Sequence, residues 1–364
     1  MTKKRVLLIA ANDMGNSGVP SVYMQIVRNL SDKYIFDIVI TRENYFYKDE
    51  FLSYGGNIFL IKEKTYKSLS KRLWWRFFEM PKRIKEEMSN ILLSNKYDIV
   101  HSFKETESCY YLQVAKKYNV NKRIVHNNRQ FEMPNNILAR QYIKYCLKKT
   151  LKYSTDNITI SSPCGKTFFG KKSFSVIFDT YDENKYKFGR CLLKSEQLHL
   201  LQVGTFLPLK NQLFTLDVIK KISFQYPNVV ISFIGKVFDK DYYNLFLQRI
   251  RALQLEKNVN IYEHNIDQLP ILSTTTFTLV PSFKEGLSLT AIESQACGIK
   301  VFASNGVPLE VNCGNVIFLE LNSDNWASEI LKTFESVHNE RTKVDMSKFS
   351  QTTFTSKIKT IYNS

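Results

Sequence analysis

Two glutamates in the last third of the chain have the spacing of a ligand site. Glu285 follows an apolar segment that ends at Val280, and Glu293 stands eight positions later. Ser288, between them, favours the start of a helix, so the amides of residues 286–289 would lie at a helix N-terminus and attract a phosphate. Carboxylates accept hydrogen bonds from paired sugar hydroxyls. The pattern predicts a nucleotide-sugar site, and two ordinary surface glutamates near a helix start are the competing interpretation.

A lysine follows a second apolar segment of the same half. The segment Leu198–Val203 leads into Gly204, and Lys210 lies six positions after that glycine. A lysine in a loop at a strand end can neutralise a diphosphate. A solvated lysine that closes a turn explains the same residue without a ligand, and the residues alone leave both interpretations open.

Gly18 and His126 are the candidate site residues of the first half. Gly18 precedes a predicted helix over 20–30 and, because it lacks a Cβ, permits a close backbone approach. His126 ends the apolar segment Arg123–His126, where an imidazole can hydrogen-bond a sugar hydroxyl or a phosphate. A plain turn and a structural histidine are the alternatives. His101 is a weaker candidate, and the remaining histidines are expected to be structural or exposed: His199, His264 and His338.

Short apolar segments alternate with longer helix-like stretches along the chain. Those of the first half are Arg5–Ala10, Phe36–Thr41, Asn57–Ile61, Ile99–Ser102, Arg123–His126 and Asn157–Ile160. Those of the second half are Leu198–Val203, Val229–Ile234, Val259–Tyr262, Phe277–Val280, Lys300–Ala303 and Val316–Leu319. Strands that are apolar on both faces and separated by helices indicate parallel sheets covered by helices. The pattern predicts an α/β protein with two doubly wound, Rossmann-like domains, whose ligands bind at the carboxyl ends of the strands.

The predicted domain boundary lies between Ser173 and Gln197, where periodic apolar positions are few. We expect a first domain over residues 1–178, a second over 179–345, and a C-terminal helix over 346–364 that can pack back on the first domain. Two such domains with parallel sheets facing each other would form one interdomain cleft for the candidate site residues.

The composition is that of a globular protein. Hydrophobic residues make up 44% and charged residues 23% of the 364 positions, which excludes a wholly disordered chain. No apolar run is long enough for a membrane-spanning helix, and the first apolar segment stops at Asn12, which argues against a signal peptide. The expected location is the cytoplasm. Six cysteines without CxxC spacing predict reduced thiols, with neither disulfides nor a zinc site.

The net charge of +17, from 51 Lys and Arg against 34 Asp and Glu, points to an anionic partner. Nucleic acid, an anionic membrane and phosphorylated small molecules all fit this charge. The sequence has no zinc-finger, RRM or basic helix-turn-helix pattern, which argues against nucleic acid.

Two stretches of the first half combine basic with aromatic or aliphatic residues at near-helical spacing. They are Lys64–Lys85, which contains Trp74 and Phe78, and Arg140–Lys152. This composition is typical of helices at an anionic membrane surface. Amphipathic helices that pack on a sheet and expose their lysines are the alternative.

The segment from Val280 to Val311 resembles the signature of the family-4 glycosyltransferases, which have the GT-B fold. The family pattern has Pro-Ser, a Glu-Gly pair, a second glutamate eight positions after the first, Ala-x-Gly and an apolar strand that ends in serine. The matching residues are Pro281-Ser282, Glu285-Gly286, Glu293, Ala296-Cys297-Gly298 and Val301–Ser304. The segments around Gly18, Gly204–Asn211 and Arg123–Asn128 resemble other motifs of the family.

The resemblance implies a role for each matching residue. Glu293 would bind the ribose hydroxyls of a donor nucleotide, and Glu285 would lie near the hydroxyls of its sugar. Lys210 would clamp the pyrophosphate, and His126 would join Lys210 and Glu285 among the catalytic residues. The backbone of further residues would contact the phosphates and the sugar of the donor: Gly18, Gly204, Gly286, Leu287 and Ser288.

The implied activity is that of a retaining, metal-independent hexosyltransferase of class EC 2.4. It would use a UDP- or GDP-sugar as co-substrate, with no bound cofactor, no metal site and no assigned protein nucleophile. The departing diphosphate would be stabilised by Lys210 and by helix amides.

Details of the match are similar to bacterial enzymes of capsular and exopolysaccharide assembly. The acceptor would then be a growing saccharide on undecaprenyl diphosphate, and the protein would be peripheral on the inner face of the plasma membrane. Three family positions differ: Ser17, Thr205 and Asn128 stand where glycine, arginine and histidine are usual. They raise the alternative of a non-catalytic relative that acts as a binding or partner subunit, against which the retained Glu285, Glu293 and Lys210 argue.

Overall fold

The computed structural model describes residues 3–15, 18–190, 197–262, 266–336 and 341–364. The chain divides into two compact units, each with one parallel β-sheet. Unit 1 comprises Met1–Phe178 and Phe354–Ser364, and unit 2 comprises Asp179–Thr353. The C-terminal segment therefore belongs to the same unit as the N-terminal half of the chain.

The sheet of unit 1 is doubly wound. Its strands are β1 (Lys4–Ile9), β2 (Tyr34–Ile40), β3 (Ile58–Leu60), β4 (Ile99–Ser102), β5 (Lys122–Asn127), β6 (Asp156–Thr159) and β7 (Ser175–Val176). In the described part of the chain they have the order β3-β2-β1-β4-β5-β6-β7. The order reverses between β1 and β4, which is the position where doubly wound sheets bind their ligands.

Helices cover both faces of this sheet. They are α1 (Gly18–Leu30), α2 (Lys48–Ser53), α3 (Leu69–Trp74), α4 (Met80–Ser94), α5 (Ser108–Lys117), α6 (Ile137–Tyr153) and α7 (Ser162–Phe169). A π-helical turn, Trp75–Glu79, joins α3 to α4, and a 3-10 turn, Glu105–Glu107, precedes α5.

Unit 2 repeats the architecture with a six-stranded sheet in its described residues. Its strands are β8 (His199–Val203), β9 (Val230–Ile234), β10 (Val259–Tyr262), β11 (Phe277–Val280), β12 (Lys300–Ser304) and β13 (Val316–Leu319), in the order β10-β9-β8-β11-β12-β13. Its helices are α8 (Gln212–Gln225), α9 (Lys240–Ala252), α10 (Leu269–Thr274), α11 (Leu289–Ala296) and α12 (Ser323–Ser336). The strand order reverses between β8 and β11, so the loops after these two strands are the expected ligand loops.

Strand β1 shows why the sequence forms a covered parallel sheet. Its residues Val6 and Leu8 belong to one hydrophobic cluster, and Leu7 and Ile9 belong to the other. All four side chains are fully buried, because alternate residues of a strand point to opposite faces. Burial of each such side chain contributes roughly 1.5–3 kcal/mol. Both faces of the central strand are therefore sealed by helices.

The last helix, α13 (Gln351–Asn363), packs on unit 1. Its residues Phe354, Ile358 and Tyr362 are spaced by four, lie on one face and are buried in the same cluster as Val6 and Leu8. The helix therefore covers part of one face of the sheet of unit 1, together with α1.

The fold class predicted from the sequence is confirmed, since each unit is a parallel sheet flanked by helices. Every predicted apolar segment contains a strand, with bounds that differ by two residues or fewer. Strand β7 is not predicted, because two residues leave no periodic pattern. Helix α1 begins at Gly18, two residues before the predicted start.

Candidate functional site

Lys210 and Glu285 form an ion pair in the loops after β8 and β11 of unit 2. The ammonium Nζ of Lys210 lies 2.6 Å from Oε1 of Glu285, and the two side chains are 27% and 11% exposed. The hydroxyl of Ser282 donates to the same carboxylate oxygen at 2.7 Å. A partly accessible cation beside a carboxylate can bind a ligand that carries both a diphosphate and hydroxyl groups.

Hydrogen bonds tie the two loops that carry this pair. The backbone N–H of Phe283 donates to the Leu209 carbonyl at 3.0 Å. The side-chain amide of Asn211 donates to the Pro281 carbonyl at 3.2 Å. Since Leu209 and Asn211 flank Lys210, the loop after β8 is fixed to the loop after β11 on both sides of the lysine.

Three glycines allow the backbone around the ion pair to pack closely. A Cβ on Gly235 would lie 2.0 Å from the carbonyl oxygen of Gly204, and a Cβ on Gly306 would lie 2.4 Å from that of Phe283. Gly204 also lies against the methylene stem of Lys210, whose Cδ would be 3.3 Å from an added Cβ. Sequence reasoning identified Gly204 and missed the other two, whose position after an apolar strand is the available signal.

Helix α11 begins at Leu289, one residue after the predicted N-cap Ser288. Ser288 makes no side-chain capping hydrogen bond and has φ of 86°, in the left-handed region. A non-glycine residue in this conformation is strained and is held there by its surroundings, a feature that is concentrated at functional sites. The first amides of α11 have no acceptor within the helix, so the turn through Gly286 and Leu287 leads to backbone donors suited to an anion.

Glu293 lies half-buried on the same helix. Burial raises the pKa of its carboxyl to about 8, while Lys185 lowers it and Asp182 raises it further. A carboxyl with a pKa near neutrality can accept hydrogen bonds when ionised and donate one when protonated. Glu293 can therefore serve a pair of hydroxyl groups in either state.

Unit 1 has a cavity of about 550 Å³ at the carboxyl ends of β1, β4 and β5. Its larger apolar lining residues are Val19, Leu73, Phe77, Phe103, Phe131, Tyr142 and Ile143. Its charged lining residues are Arg76, Lys104, Glu105, Glu107, Arg129 and Glu132. A cavity of this size with mixed lining suits an amphiphilic ligand.

Lys104 is the most deeply buried cation of this cavity, with a side chain only 3% exposed. Its ammonium lies 3.1 Å from Oε1 of Glu63 and 3.6 Å from Oε2 of Glu107. It also donates to Oδ1 of Asn12 at 3.3 Å and to Oγ1 of Thr41 at 3.0 Å. One cation thus links the loops that follow β1, β2, β3 and β4. Sequence reasoning missed Lys104, because its partners are far apart in the chain.

Gly18 is the first residue of α1, and a Cβ built on it would meet no heavy atom of the described residues within 4 Å. The described part of unit 1 therefore gives no packing reason for a glycine there. Ser17, the departure from the family pattern, lies outside the described residues. The same is true of His264, His338 and Cys191.

His126 is fully buried at the end of β5. Its Nδ1 lies 3.2 Å from Nε2 of His101, and burial lowers its pKa to about 3, so the imidazole is neutral. Its ring stacks on Phe103, with 4.9 Å between the centroids, and Phe103 lines the cavity. His126 is thus close to the cavity lining, and its contact with a substrate stays a prediction.

The structure brings Lys210, Glu285 and Gly204 together in unit 2, with Gly286–Ser288 leading from Glu285 to the helix of Glu293. Within the described ranges, no group of three His, Cys, Asp or Glu side chains is arranged to hold a metal ion, and no disulfide joins the cysteines. No helix in that part of the chain is both long and apolar enough to cross a bilayer.

Comparison with known proteins gives a family match for part of the second half of the chain. The family described as "Glycosyl transferases group 1" matches residues 187–347. The chain is 28% identical to the capsular polysaccharide biosynthesis glycosyltransferase CapH of Staphylococcus aureus over 258 residues, which cover 66% of this chain and 70% of that protein. It is 26% identical to the O-antigen chain mannosyltransferase RfbU of Salmonella typhimurium over 216 residues, which cover 57% of this chain and 58% of that protein.

A solved structure is similar along the whole chain. The complex of HepE from Anabaena with UDP matches with a TM-score of 0.78, at 14% identity, over 99% of both chains. At this identity the match concerns the fold.

Proposed function

Because residues 187–347 belong to the glycosyl transferases group 1 family and the two units have the GT-B fold, we propose that this protein is a retaining hexosyltransferase that uses a nucleotide-sugar donor. The family and the fold predicted from the sequence are confirmed by these two matches. Glycosyl transfer is the activity that the family carries. The donor class, the retained configuration and the independence of metal are the parts that we propose.

The observation that carries the donor proposal is the ion pair of Lys210 with Glu285 beside the N-terminus of α11. When the bond from the anomeric carbon to the donor phosphate breaks, the leaving diphosphate gains negative charge. Lys210 and the first amides of α11 would neutralise this charge, which is the task a metal ion performs in other transferases. Glu285 would accept hydrogen bonds from the sugar, and Glu293 from the ribose.

The alternative of a non-catalytic binding subunit rests on Ser17, Thr205 and Asn128, which replace a glycine, an arginine and a histidine of the family pattern. Thr205 contributes its carbonyl as an acceptor for Gln212 at 3.0 Å, so its backbone supports the loop after β8. Lys210 in its ion pair with Glu285 favours catalysis, because a cation at this position serves the leaving group.

A thermal titration with UDP, GDP and ADP tests the donor site. Since a ligand that binds the folded state stabilises it, a nucleotide at a hundred times its Kd adds about 2.7 kcal/mol. We expect UDP or GDP to raise Tm and ADP to leave it unchanged, and HepE, which binds UDP, makes UDP the first candidate. Glu293→Ala should abolish the shift, whereas Glu256→Ala, an exposed glutamate of unit 2, should keep it. The absence of a shift with every nucleotide would contradict the proposal.

The acceptor in this proposal is a growing saccharide on undecaprenyl diphosphate. CapH and RfbU, named for capsular polysaccharide and O-antigen synthesis, support an acceptor of this kind. The cavity of unit 1 supports it as well: Phe77 and Phe131 could contact isoprenyl carbons, and Arg76 could pair with the diphosphate. Transfer to lipid-linked acceptor, read by mass spectrometry, tests it. Equal transfer to soluble saccharides without the lipid would contradict it.

An exposed surface next to this cavity supports an anionic membrane as partner. Leu73, Trp74 and Phe78 are 44%, 57% and 59% exposed, and Lys71 and Arg72 beside them are exposed too. Leu73 also lines the cavity. Apolar side chains flanked by cations are the composition of helices that lie in an anionic interface. The protein would then be peripheral on the cytoplasmic face of the plasma membrane.

Vesicle flotation tests the membrane surface. Phosphatidylglycerol vesicles should carry the protein and phosphatidylcholine vesicles should not. Replacing both Trp74 and Phe78 by serine should weaken binding about 10²-fold or more, because each buried aromatic contributes roughly 1.5–3 kcal/mol. Phe224→Ser is the matched control, since this side chain of unit 2 is 76% exposed. Equal loss in the control, or equal binding to both lipids, would contradict this part of the proposal.

A further inference from the structure

Three buried polar side chains form a hydrogen-bond network in unit 1. The hydroxyl of Tyr362, on α13, lies 2.9 Å from Nδ1 of His101, and Nε2 of His101 lies 3.2 Å from Nδ1 of His126. We propose that Tyr362 and His101 are positioning residues that hold His126 as the tautomer protonated on Nε2, so that His126 offers a substrate a hydrogen-bond donor and not a base. The contact with substrate rests on the proposed function, whereas the tautomer does not.

The hydrogen bonds of this network run in one donor-to-acceptor direction, because the hydroxyl of Tyr362 must donate its proton. Tyr362 is only 1% exposed, and among the residues that the structure describes its hydroxyl has Nδ1 of His101 as its partner. Burial raises the pKa of Tyr362 well above its ordinary value, so the hydroxyl keeps its proton. A buried hydroxyl is expected to donate to the acceptor within its reach. Nδ1 of His101 is therefore an acceptor.

The acceptor role of Nδ1 fixes the remaining protons. Burial and the neighbouring His126 keep the pKa of His101 well below its ordinary value, so this imidazole is neutral and carries one N–H. With Nδ1 accepting, the proton is on Nε2 and is donated to Nδ1 of His126. His126 is neutral as well, so its own proton is on Nε2. The opposite direction would leave the buried Tyr362 hydroxyl without an acceptor among the described residues.

The last donor of the network is Nε2 of His126. This atom is buried and has no hydrogen-bond partner among the described residues. The ring stacks on Phe103, and both Phe103 and Asn128 line the cavity of unit 1. A buried N–H without an acceptor is unfavourable, so it marks a position for a ligand oxygen. A sugar hydroxyl or a phosphate oxygen has the acceptor chemistry that fits.

The tautomer can be read directly in the protein without a ligand. The chain has five histidines, so ¹⁵N-histidine labelling gives a simple long-range ¹H–¹⁵N spectrum, in which His101→Gln and His126→Gln assign the signals. We expect His126 and His101 to be Nε2-protonated and still neutral at about pH 5, below the ordinary histidine pKa. An Nδ1-protonated His126, or an imidazolium at that pH, would overturn the proposal.

Tyr362→Phe and Tyr34→Phe form a matched pair of variants. Both residues anchor α13, since the hydroxyl of Tyr34 donates to Oδ1 of Asn363 at 2.9 Å. Tyr34, however, does not belong to the hydrogen-bond network of Tyr362. Tyr362→Phe should give a mixture of tautomers at both histidines and lower kcat about fivefold, with KM little changed. Tyr34→Phe should change neither. Wild-type tautomers in Tyr362→Phe would overturn the proposal, whereas a wild-type protein with these tautomers but no turnover would contradict only the proposed function.

Discussion

Replacing Lys210 by methionine tests the donor site most sharply, because it removes the ammonium and keeps most of the side chain. The ammonium pairs with Glu285 at 2.6 Å, and the methylene stem lies against Gly204. Methionine retains the contact with Gly204. Since both members of the ion pair are partly exposed, its loss should change the free energy of unfolding by only about 0–1 kcal/mol.

The functional loss should be much larger. A charge-assisted hydrogen bond to a diphosphate is worth roughly 1.5–3 kcal/mol, which corresponds to about 10- to 150-fold in nucleotide affinity. Charge that develops on the leaving group makes Lys210 still more important in the transition state, by roughly 10²–10³ in turnover. We therefore expect Lys210→Met to lose about 10²-fold or more in kcat/KM while Tm falls by no more than about 4 °C.

The assay compares turnover and melting in the same samples. Lys221→Met is the control, because it removes an ammonium paired with Asp324 elsewhere in unit 2. Glu285→Gln separates the two halves of the ion pair: Lys210 without its carboxylate should bind a nucleoside diphosphate more tightly, yet sugar transfer should slow. Wild-type kcat/KM and nucleotide affinity in Lys210→Met would refute the assigned role, and a collapse of Tm would indicate a structural one.

Other predictions concern protonation and packing. Because the folded pKa of Glu293 is about 8 against an ordinary 4.5, this carboxyl contributes stability that is lost as pH rises between these values. The loss should be visible in wild-type urea unfolding between about pH 6.5 and 8, above the range of the histidines, and Glu293→Gln should lack it. His101 and His126 have lowered pKa values, so each contributes a loss of stability of roughly 1.4 kcal/mol per pH unit as pH falls below about 6.5, and His126→Gln should halve this contribution. Gly18→Ala should leave Tm unchanged, since its Cβ meets no described residue within 4 Å, but should lower turnover. Gly235→Ala, with a Cβ 2.0 Å from a backbone oxygen, should destabilise the protein by about 2 kcal/mol or more, and unchanged melting would contradict the packing argument.

The sheets could be predicted from the sequence because their strands are apolar on both faces. Val316–Leu319 is a strand with the predicted bounds, since its continuous apolar run begins after Asn315 and ends before Glu320. Ser175–Val176 could not be found, because its pairing with β6 depends on the neighbouring strand and not on a local pattern. Local signals thus identify the long buried elements, and tertiary contacts decide the short ones.

Some residues of the candidate site could likewise be predicted from local sequence signals, and others could not. Lys210 and Glu285 lie in loops that follow predicted strands and carry a recognisable pattern, and the structure gives them a direct contact. The contacts of Lys104 could not be predicted, because Glu63 and Asn12 reach it through the tertiary arrangement of separate loops. Nor could the contact of Tyr362 with a histidine, which requires α13 to return to unit 1.

The packing of α13 on unit 1 has a consequence for folding during synthesis, because unit 1 cannot acquire this helix before unit 2 has been made. Phe354, Ile358 and Tyr362 share a hydrophobic cluster with Val6 and Leu8, yet the ribosome synthesises them only after all of unit 2. The face of the sheet that α1 and α13 share therefore stays partly uncovered until these residues are synthesised, a state that invites chaperone binding. A chain released before Phe354 would contain all of unit 2 but lack three buried side chains of unit 1, so quality-control proteases could distinguish it from a chain that includes α13.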